Sequence, residues 1–303
     1  MDQIYFITGP TAVGKSSFAL KIAQKYNGVI INADSMQVYS NLRILTARPS
    51  LNDHKKIIHK LYGHVNGSKR YNVSKWCDEI KKIINENIKD KILSIVVGGT
   101  GMYIDKLING IIDMPEIPEI YKKKSEELLK SIGLEKLIQE INTFDSQSLK
   151  KISLNDNSRI RRIWEVFNST GITFTDWKKT KNKTFLNKLS FKIFLINPPR
   201  DKIYENVNLR FKEMLEVGAI DEVKELMSLK LDKSLPIMRA HGVPEISKYL
   251  NNYYSFEECI VRGQQATRNY VKRQLTWWRS STLPIHQVFH QFSNEIDVNL
   301  IKK

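Results

Sequence analysis

Residues 4–16 read IYFITGPTAVGKS, and the order of residue types along this stretch decides the fold. Ile4–Thr8 is a short apolar run rich in β-branched and aromatic residues, the composition of a strand buried on both faces. GPTAVGKS (residues 9–16) follows and fits the phosphate-binding pattern GxxxxGK[ST]. Phe18, Ala19, Ile22, Ala23 and Tyr26 then recur at helical spacing. Strand, glycine-rich loop and helix, in that order, are the setting in which the pattern has physical meaning. Glycines let the backbone turn so that consecutive N–H groups point inward at phosphate oxygens, and the helix N-terminus adds partial positive charge. Gly9, Pro10, Thr11, Ala12, Val13 and Gly14 supply that backbone, Lys15 a full charge, and Ser16 a hydroxyl for Mg²⁺. The pattern establishes a polyphosphate site without selecting ATP.

Further along the chain, residues 29–33, 92–97 and 191–196 repeat the strand composition. Trp76, Ile80, Ile83, Ile84 and Ile88 form a second helical stripe between two of them. Alternating strand and helix predicts an α/β domain with a P-loop NTPase-like parallel sheet. Between Asp113 and Lys188 no strand pattern is visible. Pro115 and Pro118 open this stretch, a Lys-rich and acid-free segment (residues 178–188) closes it, and amphipathic stripes lie inside: Leu128, Leu129 and Ile132, then Ile160, Ile163, Trp164 and Phe167. The reading is an all-helical insertion domain over residues 114–188. Residues 1–113 and 189–303 are then the core with a helical C-terminal part. The tail beyond Arg279 reads as loosely structured.

Lys and Arg outnumber Asp and Glu by 48 to 32, a formal charge of +16 that favours a polyanionic partner. A Lys-, Ile- and Asn-heavy coding bias is the plainer alternative. Cys77 and Cys259 are the two cysteines, with no CxxC and no neighbouring histidine pair, which argues against a disulfide framework or a zinc site. The N-terminus lacks a basic start followed by an apolar core, and no apolar run reaches membrane-spanning length. A cytoplasmic monomer with no membrane association is the expectation.

Asp34 stands just past the second strand, where an open parallel sheet places its site. It could accept a proton or hold Mg²⁺, or simply cap the following turn. The third strand ends in VGGTG (residues 97–101), where an ATPase often has a metal-binding carboxylate; Thr100 offers a hydroxyl instead. GPTAVGKS, DSMQVY, TARP (residues 46–49) and VGGTGMY occur in that order. NDNSRIRRIWEVFNSTG (residues 155–171), RFKEML (residues 210–215) and ATRNYVKRQLTWWR (residues 266–279) follow. Together these seven motifs resemble the ordered signatures of the tRNA dimethylallyltransferase family.

The resemblance implies transfer of a dimethylallyl group from dimethylallyl diphosphate to the exocyclic N6 amine of adenosine 37 of tRNA, beside the anticodon. It places the loop residues 9–16 and Arg210 on the diphosphate, with Mg²⁺ assisting. Asp34 becomes the general base, Thr100 a hydroxyl that positions the reacting groups, and Lys15 a cation on the leaving group. Family tRNA contacts fall on Asp34, Ser35, Met36 and Gln37, on Thr100 and Lys122, and on Ser158, Arg159, Ile160, Arg161 and Arg162. They continue on Arg239, Ala240, His241, Gly242, Val243 and Pro244, and on Lys272, Arg273, Gln274, Leu275, Thr276, Trp277, Trp278 and Arg279. Val243 and Pro244 stand where the family commonly has an aromatic residue and a basic one, and Lys122 where relatives often carry Arg.

The residues themselves support a nucleic-acid partner. Arg159 and Arg162 should point away from the apolar stripe of their helix. Val271, Leu275 and Trp278 predict the buried stripe of a late helix, with Arg268, Lys272 and Arg279 on its flank, and no acid occurs from Cys259 to Asn294. Three other readings are a small-molecule kinase, a prenyltransferase of free adenine nucleotides, and a non-catalytic RNA-binding module. The basic late helix argues against the first, the helical insertion against the second, and intact Gly14, Lys15, Ser16 and Asp34 against the third.

Overall fold

The computed structural model describes residues 4–186 and 189–301. Lys188, which ends the Lys-rich segment and borders the expected insertion, lies outside them. The chain divides into two compact units, Met1–Ile108 with Phe185–Lys303, and Asn109–Thr184. In chain order the elements are β1 (Ile4–Thr8), α1 (Lys15–Tyr26), β2 (Gly28–Asn32), α2 (Leu51–Lys56), β3 (His59–Lys60), α3 (Val73–Lys89), β4 (Leu93–Gly98), α4 (Gly101–Asn109) and β5 (Ile111–Ile112). They continue with α5 (Glu119–Leu149), α6 (Asn157–Thr170), α7 (Phe174–Trp177), β6 (Asn182–Lys183), β7 (Phe191–Ile196), α8 (Arg200–Met214), α9 (Ile220–Ser228), α10 (Val243–Leu250), α11 (Phe256–Ser280) and β8 (Gln287–Phe289).

In the first unit six strands form one sheet in the order β3-β2-β4-β1-β7-β8, and every pairing is parallel. Ile4 of the central β1 lies opposite Ser94 on one side and Phe191 on the other. All five β1 residues are buried, as a strand covered on both faces requires. Helix α1 starts at Gly14, whose φ of 84° is left-handed, and buries Phe18, Ala19, Ile22 and Ala23, the stripe read from their spacing. These pack with Tyr5, Ile7, Ile95 and Phe194 into the main core. A second core joins Val38, Tyr39 and Leu42 to Phe211, Val223, Ile237, Ile246 and Cys259, tying the segment after β2 to the C-terminal helices. Cys77 and Cys259 are buried and are not joined in a disulfide.

Three features differ from the sequence reading. β2 and β4 are shifted by one residue from 29–33 and 92–97. β3 is a two-residue edge strand with no periodicity to detect. The tail after Arg279 is ordered into the fold: β8 extends the sheet beside β7, with Gln287 opposite Phe194, and the Asn197 N–H donates to the Phe289 carbonyl at 2.7 Å. Phe289 packs edge-on against Phe18 at 5.7 Å, and Ile296 and Ile301 enter the main core. Long-range burial holds this segment, so its local composition did not reveal it.

The second unit is helical, with Leu137, Ile141 and Leu149 of α5 packed on Ile160, Ile163 and Trp164 of α6. Within α5 the backbone leaves helical geometry at Gly133, where φ is 78°, and at Asp145. Buried Asp145 accepts hydrogen bonds from the Ser148 N–H at 3.1 Å and hydroxyl at 2.8 Å, and from the Thr175 N–H at 3.0 Å, which pins α7 beside that break. α6 opens on Asp156, which caps the Arg159 N–H at 3.1 Å, and closes at left-handed Gly171. The expectation that residues 113–188 hold no strand is corrected: β5 and β6 pair antiparallel, Ile111 with Lys183 and Ile112 with Asn182. The unit accordingly begins at Asn109 rather than 114, because this short ladder closes its base. No helix among the described residues is long and apolar enough to cross a membrane.

Candidate active site

The carboxyl ends of β1, β2 and β4 are neighbours in the sheet, and their following loops converge. After β1 the phosphate loop turns through Gly9, with φ 139°, and Gly14 into the start of α1. Lys15 Nζ folds back to donate to the Pro10 carbonyl at 2.6 Å. Burial pulls its ammonium down to about 7, with Asp34 opposing that shift and Arg210 adding to it. Arg210, on α8, donates to the Thr11 hydroxyl; burial draws its guanidinium down to about 10 against the pull of Asp34 and Glu213. Two desolvated cations therefore face one carboxylate, an arrangement with a surplus positive charge that favours an anionic ligand.

Asp34 owes its place to Asn32. The buried Asn32 amide donates to the Asp34 carbonyl at 3.0 Å and accepts from the Asp34 N–H at 2.8 Å, and the Trp76 indole N–H donates to the Asn32 carbonyl at 2.7 Å. Asp34 Oδ1 in turn accepts from the N–H of Met36 at 2.8 Å and of Gln37 at 3.3 Å. The carboxylate thus caps its own turn through Oδ1, so the capping and site readings of Asp34 are compatible. At the end of β4 a Cβ on Gly98 would fall 2.3 Å from the Ala33 carbonyl, so only glycine lets β2 and β4 end this close together. Thr100 follows, its hydroxyl accepting from the Ser35 N–H at 3.4 Å and lying close enough to the buried Tyr270 hydroxyl to influence its titration.

Two adjoining cavities meet at these groups. One, of about 310 Å³, is lined by Gly14, Lys15, Ser16, Gly99 and Gln274. The other, of about 170 Å³, is walled by Met36, Leu45, Phe211, Met214, His241 and Tyr270. Thr11, Asp34, Thr46 and Arg210 line both. Leu45 is held by the Glu222 carboxylate of α9, which accepts from the N–H groups of Arg43, Ile44 at 2.8 Å and Leu45 at 3.0 Å. Gln37 Nε2 donates to the Thr46 carbonyl at 2.7 Å. His241 packs at a tilt against Tyr270, ring centroids 4.5 Å apart, and burial, with Arg273 adding to it, lowers its imidazole to about 4, so it is neutral near pH 7.

Val207, Phe211, Met214, Thr267 and Tyr270 were not singled out from sequence. They lie inside quoted motifs or on the α8 face, but only packing shows which side chains turn inward. Burial revises several expected RNA contacts. Ala240, Gly242, Val243, Gln274 and Trp278 are buried, so whatever Ala240, Val243 and Trp278 do is done by packing or backbone. Arg268 is half-buried and donates to Asn208 Oδ1 at 2.6 Å and Gln265 Oε1 at 2.7 Å. Arg239, Pro244, Lys272, Arg273, Thr276 and Arg279 are exposed, while Leu275 and Trp277 are half-buried.

In the helical unit Ser158 and Arg159 are exposed, and Arg159 pairs with Asp156 at 3.3 Å. Ile160 is a core residue. Arg162, expected to point away from the apolar stripe, is half-buried: its guanidinium lies 3.6 Å from Met114 Sδ, and burial lowers its pKa. Arg161 donates to Ser125 Oγ at 3.0 Å and the Lys122 carbonyl at 3.1 Å, and pairs with buried Glu165 at 3.6 Å. Lys122 pairs with Glu119 at 3.1 Å.

Comparison with known proteins bears on the same residues. The IPP transferase family profile matches residues 37–281, and the isopentenyl transferase profile matches residues 2–63, which include the phosphate loop and Asp34. The chain is 42% identical over 280 residues to a tRNA dimethylallyltransferase of Pelagibacter ubique, covering 92% of this chain and 89% of the relative. It is 39% identical over 281 residues to one of Ehrlichia canis, covering 92% of each. Among solved structures, a eukaryotic dimethylallyltransferase acting on tRNA superposes with a TM-score of 0.81 at 25% identity, over 99% of this chain and 76% of that one. The full-length tRNA isopentenylpyrophosphate transferase of Bacillus halodurans superposes with a TM-score of 0.67 at 27% identity, over 99% and 93%. Sequence and fold agree over nearly the whole chain, and the chain belongs to the IPP transferase family, among the tRNA dimethylallyltransferases.

Proposed function

We propose that this protein transfers a dimethylallyl group from dimethylallyl diphosphate to N6 of adenosine 37 in tRNA, releasing diphosphate. The observation that carries the reading is the seam between the two cavities, where Asp34, Thr11 and Arg210 lie between a cationic compartment lined by the glycine-rich loop and a mostly apolar one. A diphosphate ester of a short branched hydrocarbon has the same two halves. Lys15, Arg210 and the loop N–H groups bind the diphosphate and stabilise it as charge builds on the leaving oxygen. The N6–carbon bond forms as the carbon–oxygen bond breaks, the electron pair leaves with the diphosphate, and one N6 proton passes to Asp34. Thr100, held by the Ser35 N–H, orients the acceptor beside that carboxylate.

Ser16 lines the cationic cavity, and its hydroxyl suits Mg²⁺, which is usually completed by substrate phosphates and water rather than by a full protein cage. When bound there it supplies charge neutralisation on the leaving diphosphate. The exposed cations Lys272, Arg273 and Arg279 on α11, together with Arg159 in the helical unit, serve the tRNA backbone, which fixes register without reading bases. The test is nucleoside mass analysis of tRNA after incubation with the protein, Mg²⁺ and dimethylallyl diphosphate. A dimethylallyl mass increment on adenosine is the expected result; unmodified tRNA with consumption of ATP instead would identify a kinase.

A further inference from the structure

Gln274 is the one residue of the basic C-terminal motif whose side chain runs inward to the site's backbone. It is buried on α11, its Oε1 accepts from the Thr11 N–H at 2.9 Å, and its Nε2 donates to the Gly99 carbonyl at 3.0 Å. One amide therefore ties the phosphate loop after β1 to the end of β4. Each tie leads on to a reacting side. Thr11 accepts from Arg210 and lines both cavities, while Gly99 immediately precedes Thr100. Gly99 is required for the tie: a Cβ there would fall 2.1 Å from Gln274 Nε2. Neighbours on the same helix, Lys272, Arg273 and Thr276, point outward and are exposed.

We infer that Gln274 is a positioning residue for the transfer rather than an RNA contact. Its amide holds the diphosphate loop at a set distance from the Thr100 strand end, so that leaving group and acceptor amine meet in reacting geometry. An amide suits this task because it accepts and donates from adjacent atoms of one planar group. A methyl or carboxylate group there loses the donor bond to Gly99, and a carboxylate would set two acceptors against each other. Misplacement of reacting groups by about 1 Å can cost on the order of 10² in rate. This inference rests on the proposed transfer reaction.

The experiment uses the full-length protein and measures three quantities for each variant: the single-turnover rate at saturating tRNA and dimethylallyl diphosphate, the tRNA Kd, and the thermal midpoint. Gln274→Leu is expected to slow the single-turnover step roughly 10- to 100-fold, with tRNA Kd within about twofold of wild type. Gln274→Glu, which keeps the bond from the Thr11 N–H, should fall between wild type and Gln274→Leu. Gly99→Ala is a further check, since its Cβ would displace the amide end of Gln274 while leaving that residue in place and would meet the Gly9 carbonyl only at 3.1 Å; it should reproduce the slow step. A raised tRNA Kd with a normal saturated rate would make Gln274 an RNA contact and overturn the inference. A lowered thermal midpoint with a normal rate per folded molecule would make it merely structural and also overturn it. If the wild-type protein transfers no dimethylallyl group, the functional reading itself fails, which these variant comparisons keep distinct.

Discussion

Asp34 carries two roles with two oxygens. Oδ1 caps the turn at Met36 and Gln37, and the carboxylate also faces Lys15 and Arg210. Asp34→Asn keeps an oxygen for the cap and removes proton acceptance. The chemical step should slow by roughly 10²–10⁴ while tRNA binding and the thermal midpoint hold; single-turnover rates across pH check this, and a rate near wild type would reduce Asp34 to its cap. Lys15 makes a second prediction. Free, its ammonium is lowered by burial to about 7; with a diphosphate beside it, the charged form is favoured and the pKa rises. Above pH 7, binding must therefore take up a proton, and affinity for dimethylallyl diphosphate should fall by up to about tenfold per pH unit. Below pH 7 the dependence on Lys15 flattens because the ammonium is already charged. Calorimetry in alkaline buffers of different ionisation enthalpy, where the diphosphate no longer titrates, reads the proton uptake directly; none at pH 8 would contradict the assignment.

At the scale of elements, α11 separates two jobs by face. Val271, Gln274 and Trp278 face inward, while Lys272, Arg273, Thr276 and Arg279 face solvent, a division that follows from helical spacing. Its basic flank was legible because no acid occurs from Cys259 to Asn294. Arg268 was read onto that flank as well, but its bond to Asn208 of α8 makes it a bridge between helices. Lys272→Ala with Arg279→Ala should accordingly weaken tRNA binding and lower the slope of log affinity against log salt by about one to two units. Affinity for dimethylallyl diphosphate alone should not change. Filter binding across a salt series measures the first and calorimetry the second; an unaltered salt slope would take α11 off the RNA.

At the scale of the whole chain, the β5–β6 ladder says how the helical unit is inserted. Ile111 and Lys183 are antiparallel partners, so the incoming and outgoing chains run side by side, roughly 5 Å apart between Cα atoms. A short Gly-Ser linker from Ile111 to Lys183, replacing residues 112–182, should leave the remainder able to fold. The core residues of each unit are its own: Leu137, Ile141, Ile160 and Trp164 in one, Ile7, Phe18, Ile95 and Phe194 in the other. The shortened protein is expected to melt cooperatively and bind dimethylallyl diphosphate, yet to modify tRNA at well under a tenth of the wild-type rate. Modification at the wild-type rate would make the helical unit dispensable for tRNA.

What the sequence determined by itself was everything carried by local order and period. The run from Ile4 to Ser16 determined a strand, a phosphate loop and a helix, because backbone N–H groups, left-handed turns and a helix start depend on neighbours in the chain. Helical spacing likewise determined the α1 stripe and, on α11, the buried Val271 and Trp278. The tertiary structure alone decided which of these elements meet. Asn32 orients Asp34, Glu222 reaches from α9 to hold Leu45, Gln274 joins Thr11 to Gly99, and β8 closes the sheet from the far end of the chain. Gln274 binds partners 175 and 263 residues away in sequence. A polar side chain at such a position reads as surface until burial removes water and leaves it a backbone partner, and burial is a property of the packed chain.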